Sequence, residues 1–229
     1  METIIITLIG IILTIGATLY IENLRCPKLE FFEEDDSSGN LAKDAPAKTI
    51  KLLRVKIINK DLPEAIRFLR RETAYHCRVT FQIFYHDDKK PLFEKSIPAR
   101  WSHSDPPAIT QLDSNTNRVI SIFDWSKYNE IINRDCYTGN PEPIDIVARF
   151  DSENECYIYN NDSFYPNYVN WKNSNKKIPQ GRYYLVVTAY YSGIKTCGYY
   201  ELENNLGIDH FRLSLVSSSE TKNISKLLN

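Results

Sequence analysis

The chain has 229 residues, of which 42% are hydrophobic and 25% are charged, and its formal net charge is −1. This composition suits one globular core and lacks the strong basic excess of nucleic-acid-binding domains, so we expect no nucleic-acid partner. With only 8 glycines the sequence contains no glycine-rich phosphate-binding loop, and it lacks the C-x-x-C, H-E-x-x-H and G-x-S-x-G motifs, so we expect no cofactor and no enzymatic activity.

Residues 4–21 form an apolar run of 18 residues without an ionisable side chain, which matches the thickness of a bilayer's hydrocarbon core. A cleavable signal peptide has a basic segment, a shorter apolar core and a small-residue cleavage site. Here Met1 and Glu2 precede the run in place of a basic segment, and no Ala-x-Ala pattern follows it. We therefore predict a retained single-pass anchor with its juxtamembrane segment over residues 1–28.

The basic residues beside the anchor predict its orientation. None precedes the apolar run, whereas Arg25 and Lys28 follow it closely, so the positive-inside rule places the large domain in the cytoplasm, with these two side chains at the lipid surface. An odd number of cysteines agrees with a reducing compartment. The alternative is an exported domain with a Cys156–Cys197 disulfide. The five cysteines are Cys26, Cys77, Cys136, Cys156 and Cys197.

The rest of the chain divides into three predicted regions. Residues 29–49 are predicted to be an acidic flexible tether, because the stretch from 33 to 48 is polar and has few large apolar groups. Short alternating runs separated by turn residues predict an antiparallel β-sandwich, immunoglobulin-like or C2-like, over residues 50–217, and a disordered tail over 218–229. The predicted strands are 50–58, 76–85, 118–123, 144–150, 156–159, 182–191, 196–203 and 211–216.

Two short helices are predicted between the strands. The first spans 63–71, with Pro63 at its start and a cationic face formed by Arg67, Arg70 and Arg71. This face is a candidate for contact with anionic lipid, and the alternative is an ordinary surface with local ion pairs. The second helix spans 125–133, with Asp124 as N-cap and Trp125, Tyr128 and Ile132 aligned for burial.

Four segments carry a resemblance to other proteins. They are the end of the anchor, Ile21-Glu-Asn-Leu-Arg-Cys-Pro-Lys-Leu-Glu, and then Leu53-Arg-Val-Lys-Ile-Ile-Asn-Lys, Ala99-Arg-Trp-Ser and Arg149-Phe-Asp-Ser-Glu-Asn-Glu-Cys-Tyr. With these segments the chain resembles a group of uncharacterised prokaryotic proteins that have one N-terminal membrane span and a β-rich soluble domain. The resemblance implies the architecture and transfers no catalytic residue.

Two groups of polar residues are weak candidates for chemistry. Asp151, Glu153 and Glu155 alternate along the chain and would point three carboxylates at one cation, although the spacing departs from the EF-hand pattern, and a solvated turn is the alternative. Arg100, His103 and Asp105 would have to converge in a pocket to form a hydrolase site of unfamiliar type. Residues so close in sequence rarely form a catalytic triad.

The loop from 157 to 171 is the strongest candidate for a binding surface. Its tyrosine, asparagine, serine and tryptophan residues are typical of binding loops, and the alternative is that the aromatic rings close one end of the core. The partner-binding candidates are Tyr157, Tyr159, Phe164, Tyr165, Tyr168 and Trp171, together with Arg100 and Trp101.

These patterns predict a membrane-anchored, non-enzymatic binding or scaffolding module whose partners are the lipid bilayer and a protein not yet identified. Two alternatives remain open: an exported, membrane-tethered sensor or ligand-binding domain, and the hydrolase described above.

Overall fold

The computed structural model describes residues 2–34, 37–40, 49–113, 118–130, 133–151, 153–164 and 172–225. It begins with one long helix, α1 (Glu2–Arg25), whose apolar side chains are exposed along its length. Helix α1 is long and apolar enough to cross a membrane, a property that it shares with signal sequences.

The body of the protein is built mainly of strands. In chain order the strands are β1 (Leu29–Glu33), β2 (Ser37–Asn40), β3 (Thr49–Asn59), β4 (Ala74–Tyr85), β5 (Ile97–Pro98), β6 (Arg100–Trp101), β7 (Ala108–Asp113), β8 (Arg118–Phe123), β9 (Asn133–Cys136), β10 (Pro141–Phe150), β11 (Cys156–Ile158), β12 (Lys177–Ile178), β13 (Gly181–Tyr191), β14 (Ile194–Asn204) and β15 (Phe211–Leu215). Three short α-helices, α2 (Trp125–Glu130), α3 (Asn161–Phe164) and α4 (Ser218–Ile224), and 3-10 turns at Glu64–Leu69, Ser174–Lys176 and Ile208–His210 connect or follow them.

The strands form two antiparallel sheets and a separate hairpin. Sheet A has the order β1-β3-β10-β11-β12, with β2 also paired to β3 and β6 to β10, and it curls into a half-barrel. Sheet B has the order β15-β14-β13-β4-β5, with β9 also paired to β4. Among the strands of the described residues, β7 and β8 pair with each other and with no third strand. The prediction of a mainly β, antiparallel domain is therefore confirmed.

The main core lies between the two sheets. In β3 the side chains of Leu53, Val55 and Ile57 are fully buried while their neighbours are half-exposed, which is the two-residue period of a strand with one inner face. Strands β10 and β13 are buried on both faces, because α4 and the hairpin region cover parts of the outer surfaces. This explains why the middle of β13 is a run of large apolar residues, whereas β10 combines buried apolar residues with the buried, paired Asp145 and Arg149.

Every predicted strand is present, as β3, β4, β8, β10, β11, β13, β14 and β15. Helix α2 also begins at Trp125 as predicted, because the Asp124 carboxylate accepts hydrogen bonds from the backbone amides of Ser126 (2.9 Å) and Lys127 (3.3 Å). Trp125 is exposed rather than buried, which corrects the expectation for its side chain. Ile132 lies outside the described residues. The helix predicted at 63–71 is a single 3-10 segment, Glu64–Leu69.

Two segments predicted to be unstructured contain regular elements. Within the predicted tether, β1 and β2 both pair with β3, and Leu29 is buried; residues 35–36 and 41–48 lie outside the described residues. Within the predicted tail, α4 places Ile224 against Phe84 and Val186 on the outer face of sheet B. Both corrections have the same cause: each segment contacts residues distant in sequence, by strand pairing with β3 in the first and by apolar contacts of Ile224 in the second.

Gly198 in β14 allows β1 to approach sheet B closely. A Cβ at this position would lie 2.7 Å from both Cβ and Cγ of Phe31. We therefore expect Gly198→Ala to lower the free energy of unfolding by about 1–3 kcal/mol, the usual cost of overpacking. Urea unfolding of the full chain in detergent would measure it. The exposed Lys195→Ala, in the same strand, is the control. Adding Phe31→Gly, which removes both clashing atoms of Phe31, should cancel part of the loss, and additive costs would contradict the clash.

Candidate functional site

Helix α1 is attached firmly to one end of the sheets. The backbone amide of Lys60 donates to the Lys28 carbonyl (2.9 Å) and that of Glu72 to the Arg25 carbonyl (2.7 Å). The fully buried Asn59 side chain accepts from the Lys28 amide (3.0 Å) and donates to the Glu72 carbonyl (2.7 Å). We call this end of the domain, around Asn59, the proximal end. These hydrogen bonds fix the position of the domain relative to α1.

The opposite, distal end of the sheets contains Ile50, Phe150 and the Gly181–Asn204 pair. Strand β3 runs from one end to the other, and its rise of about 3.3 Å per residue separates the two ends by about 30 Å. On the outer face of sheet A near the distal end, Ile50, Ala148, Tyr159 and Phe164 form a second apolar cluster. The structure thereby separates a surface beside α1 from one far from it.

Aromatic side chains from three elements converge over this second cluster. The Phe123 ring lies 4.8 Å from that of Trp125 and 5.8 Å from that of Tyr128, and the Trp125 and Tyr128 centroids are 5.9 Å apart. Behind them, Tyr159 and Phe164 meet edge to face at 5.8 Å. We call the set Phe123, Trp125, Tyr128, Tyr159 and Phe164 the aromatic face.

Polar contacts hold the elements of the aromatic face together. The Tyr128 hydroxyl donates to the Asp162 carboxylate and so joins α2 to α3, and the Lys176 ammonium lies 3.3 Å from the same carboxylate. Trp125 is 52% exposed and the neighbouring Ile122 is 49% exposed, so part of the front of the aromatic face is in contact with solvent. The aromatic face therefore combines exposed apolar side chains with hydrogen-bonded polar groups that hold its elements together.

The structure places the predicted contact residues in different environments. Tyr159 and Phe164 are buried, as in the alternative in which the loop closes the core, and Tyr157 is half-buried, with the Lys172 ammonium 5.7 Å from its ring centre. Tyr165, Tyr168 and Trp171 lie outside the described residues. Sequence reasoning did not identify Ile122 and Trp125 as exposed contact candidates. The sequence feature that could have indicated them is the closeness of Trp125 in α2 to Phe123 in β8.

Arg100 and Trp101 are not available to a partner, because both are buried in β6. The Arg100 guanidinium and Arg54 Nε each lie 2.7 Å from the carboxylate of the fully buried Asp145, to which the Ser102 hydroxyl also donates (2.6 Å). Arg100 lies 5.4 Å from the Tyr159 ring centroid. The prediction of Arg100 and Trp101 as contact residues is therefore corrected: this ion cluster supports the aromatic face from beneath.

The residues of the hydrolase alternative have different partners and different exposure. Arg100 is directed to Asp145 and to the Ser104 carbonyl, while His103 is exposed. Asp105 binds the Lys127 ammonium at 2.8 Å on the surface, and this hydrogen bond holds the pKa of that carboxyl below its usual range.

The three acidic candidates for a metal site have separate environments. Glu153 pairs with Lys172, Glu155 pairs with Lys177, and Asp151 is exposed. Within the described ranges no three or more histidine, cysteine or acidic side chains are grouped closely enough to hold a metal ion. Two of the three carboxylates are thus neutralised by lysines.

The predicted lipid-surface residues meet at the proximal end. Arg25 lies 3.3 Å from Glu22 and 3.6 Å from Glu72, and Lys28 lies 3.9 Å from Glu30. Arg67 pairs with Asp61, and Arg71 donates to the Cys26 carbonyl (2.6 Å). Arg70 is exposed beside them. The fold brings these five basic residues together although they come from two separate segments.

The cysteines are all free, including the pair proposed for the exported alternative. Cys156 is buried in the core between the sheets, where burial raises the pKa of its thiol. Cys197 instead belongs to the outer face of sheet B and lies 3.6 Å from the Thr188 hydroxyl. The two thiols are on different faces of the sheets, so a Cys156–Cys197 disulfide does not form in this fold.

Comparison with protein-family models, with curated proteins and with solved structures gave no match to this chain. The resemblance noted from the sequence holds in its coarse features, an N-terminal apolar helix and a β-rich body. The function must therefore be argued from the geometry of this chain alone.

Proposed function

We propose that this protein is a non-enzymatic binding or scaffolding module, retained in the membrane by α1, that presents an antiparallel β-sandwich of the immunoglobulin-like or C2-like kind to the cytoplasm. The observation that carries the proposal is the aromatic face, with the 52% exposed Trp125 at its front. Attachment of α1 at the proximal end would hold this face away from the bilayer surface, where a protein partner can reach it.

The composition and rigidity of the aromatic face suit protein recognition. Tryptophan and tyrosine contribute a large share of binding energy at interfaces, and they are most effective within a rim of polar groups. Here the rim consists of the Lys127–Asp105, Lys176–Asp162 and Lys172–Glu153 pairs. Because Asp124 caps α2 and Tyr128 binds Asp162, little side-chain ordering remains to be done on association.

Photocrosslinking in native membranes tests the aromatic face. A photoreactive amino acid at position 125 should give one discrete protein adduct, whereas the same group at Tyr190, an exposed position on sheet B, should not. Ile122→Ser should then reduce the yield at position 125 by about tenfold, as expected for a contact in an interface centre. Equal adducts at both positions, or a yield insensitive to Ile122→Ser, would contradict the proposal.

The orientation has its own test, in which Cys26 reports the side of the membrane. Cys26 is the exposed thiol next to α1, whereas Cys77, Cys136 and Cys156 are buried. In a Cys197→Ser background, a membrane-impermeant maleimide should label the chain only after cells are permeabilised. Mass spectrometry of the labelled peptide provides the measurement. Labelling of Cys26 in intact cells would instead support the exported, membrane-tethered sensor.

A further inference from the structure

A cavity at the proximal end is lined by three arginines. Its volume is about 380 Å³, and its walls are Asp61, Leu62, Arg67, Arg70, Arg71 and Thr138. The cavity adjoins the end of α1 directly, since Arg71 donates to the Cys26 carbonyl (2.6 Å) and the Thr138 hydroxyl donates to the Arg71 carbonyl (3.1 Å). With α1 in a bilayer, the cavity would therefore lie at the level of the lipid headgroups.

The charges of this cavity are only partly neutralised. Asp61 is the one carboxylate in its wall, and it pairs with Arg67 at 3.2 Å. Within the part of the chain that the structure describes, the Arg70 side chain makes no hydrogen bond or ion pair, and Arg71 has no carboxylate partner, with its Nε buried and unbonded. Two guanidinium groups therefore remain to bind an anion.

The backbone at Arg70 is held in a conformation that side-chain-bearing residues rarely adopt. Its φ is 47° and its ψ is 131°, and its amide donates to the Arg67 carbonyl (3.1 Å). Such strained positions are concentrated where a side chain must be held for a ligand. The strain turns the chain sharply at the end of the 3-10 segment, between Arg67 and Arg71.

Exposed aromatic residues surround the same end of the domain. Phe68, between the arginines, is 79% exposed, and Tyr75 and Tyr137 are more than half exposed. Aromatic rings at this position relative to a membrane span are typical of the headgroup region, where their apolar part contacts acyl chains. The exposed Phe68 and the arginines around it therefore form a surface that could place an apolar ring among the acyl chains and positive charges among the headgroups.

We propose that the arginine cavity binds the phosphate group of an anionic phospholipid of the bilayer that holds α1, with Phe68 inserted between the headgroups. Arg70 and Arg71 would bind the phosphate oxygens, because a guanidinium group matches their geometry with two parallel hydrogen bonds. This inference rests on the retention of α1 in the membrane and adds a lipid class to the proposed function. It would fix the tilt of the domain, and so the direction in which the aromatic face points.

Quenching by brominated lipids tests the contact. The full chain carrying Phe68→Trp is reconstituted in nanodiscs with brominated acyl chains, and the emission of the 3 native tryptophans, measured on the unmodified chain, is subtracted. The added emission should be quenched several times more strongly than that of Leu206→Trp, an exposed position at the distal end. Replacing part of the neutral lipid by phosphatidylglycerol should increase the quenching by about twofold or more.

The Arg67→Gln/Arg70→Gln variant, in the Phe68→Trp chain, should reduce the increase with phosphatidylglycerol by about half or more, because only Arg71 remains to bind the phosphate. It spares Arg71, whose bond to Cys26 contributes to the fold. Arg182→Gln/Arg212→Gln, which removes the same charge from exposed residues of sheet B, should keep the increase. Equal responses of the two double variants, or quenching no stronger than for Leu206→Trp, would overturn the inference.

Two further results separate this inference from the proposed function. Release of the chain from nanodiscs into solution would overturn membrane retention itself, whereas a retained chain without quenching would overturn only the lipid site. Inorganic phosphate should leave the quenching unchanged relative to chloride at the same ionic strength. Loss of quenching with phosphate alone would assign the cavity to a soluble phosphate and overturn the lipid assignment.

Discussion

Asp145→Ala should lower the free energy of unfolding by about 3–5 kcal/mol, the usual cost of removing one partner of a buried ion cluster. The carboxylate is fully buried and neutralises Arg100, which is 4% exposed, as well as Arg54. Without it, the Arg100 guanidinium would remain in the interior beside Tyr159 with no counter-charge. Urea unfolding of the full chain in detergent, followed by tryptophan fluorescence, would measure the loss.

Two variants make this result specific. Asp105→Ala removes an exposed carboxylate that is hydrogen-bonded to Lys127, and it should leave the unfolding midpoint nearly unchanged. Asp145→Ala combined with Arg100→Met should recover part of the stability, because the unpaired buried charge is then removed as well. If the double variant were no more stable than Asp145→Ala, the charge would not be the cause of the loss.

Arg149→Met should also lower the free energy of unfolding by about 3–5 kcal/mol, because several charge-assisted hydrogen bonds are lost together. Arg149, in β10 of sheet A, is 1% exposed and donates to the Asn204 side chain (2.8 Å) and to the carbonyls of Asn205 (2.7 Å) and Gly207. These acceptors lie at the last residue of β14 and just after it, so Arg149 joins the two sheets at the distal end. Methionine would leave the Asn204 and Asn205 oxygens without this donor, whereas the Gly207 carbonyl would keep the backbone amide of His210 at 3.3 Å.

The controls for Arg149 address charge and location. Arg149→Lys keeps the positive charge but not the planar fork of donors, and it should lose an intermediate amount of stability. Arg182→Met, at an exposed pair with Glu201, should change the urea midpoint little. A loss below about 1 kcal/mol for Arg149→Met would show that the acceptors find other donors.

The candidate site was predicted only in part, and the difference follows from sequence distance. The aromatic residues of the 157–164 segment were recognised from local composition. Their convergence with Phe123 and Trp125 depends on how the β7–β8 hairpin and α2 pack against the outer face of sheet A. Likewise, the spacing of Arg67, Arg70 and Arg71 was visible, whereas the cavity that they form with Asp61 and Thr138 required the turn at Arg70.

The sequence by itself determined the apolar helix α1, the predicted strands and the start of α2, because each depends on residues within one or two turns or along one strand. Only the tertiary structure decided that β1, β2 and α4 are ordered. Their order comes from pairing with β3 and from the burial of Phe31 against Gly198 and of Ile224 against Phe84. Contacts between residues far apart in the chain leave no local pattern in the sequence, and those contacts position both proposed surfaces.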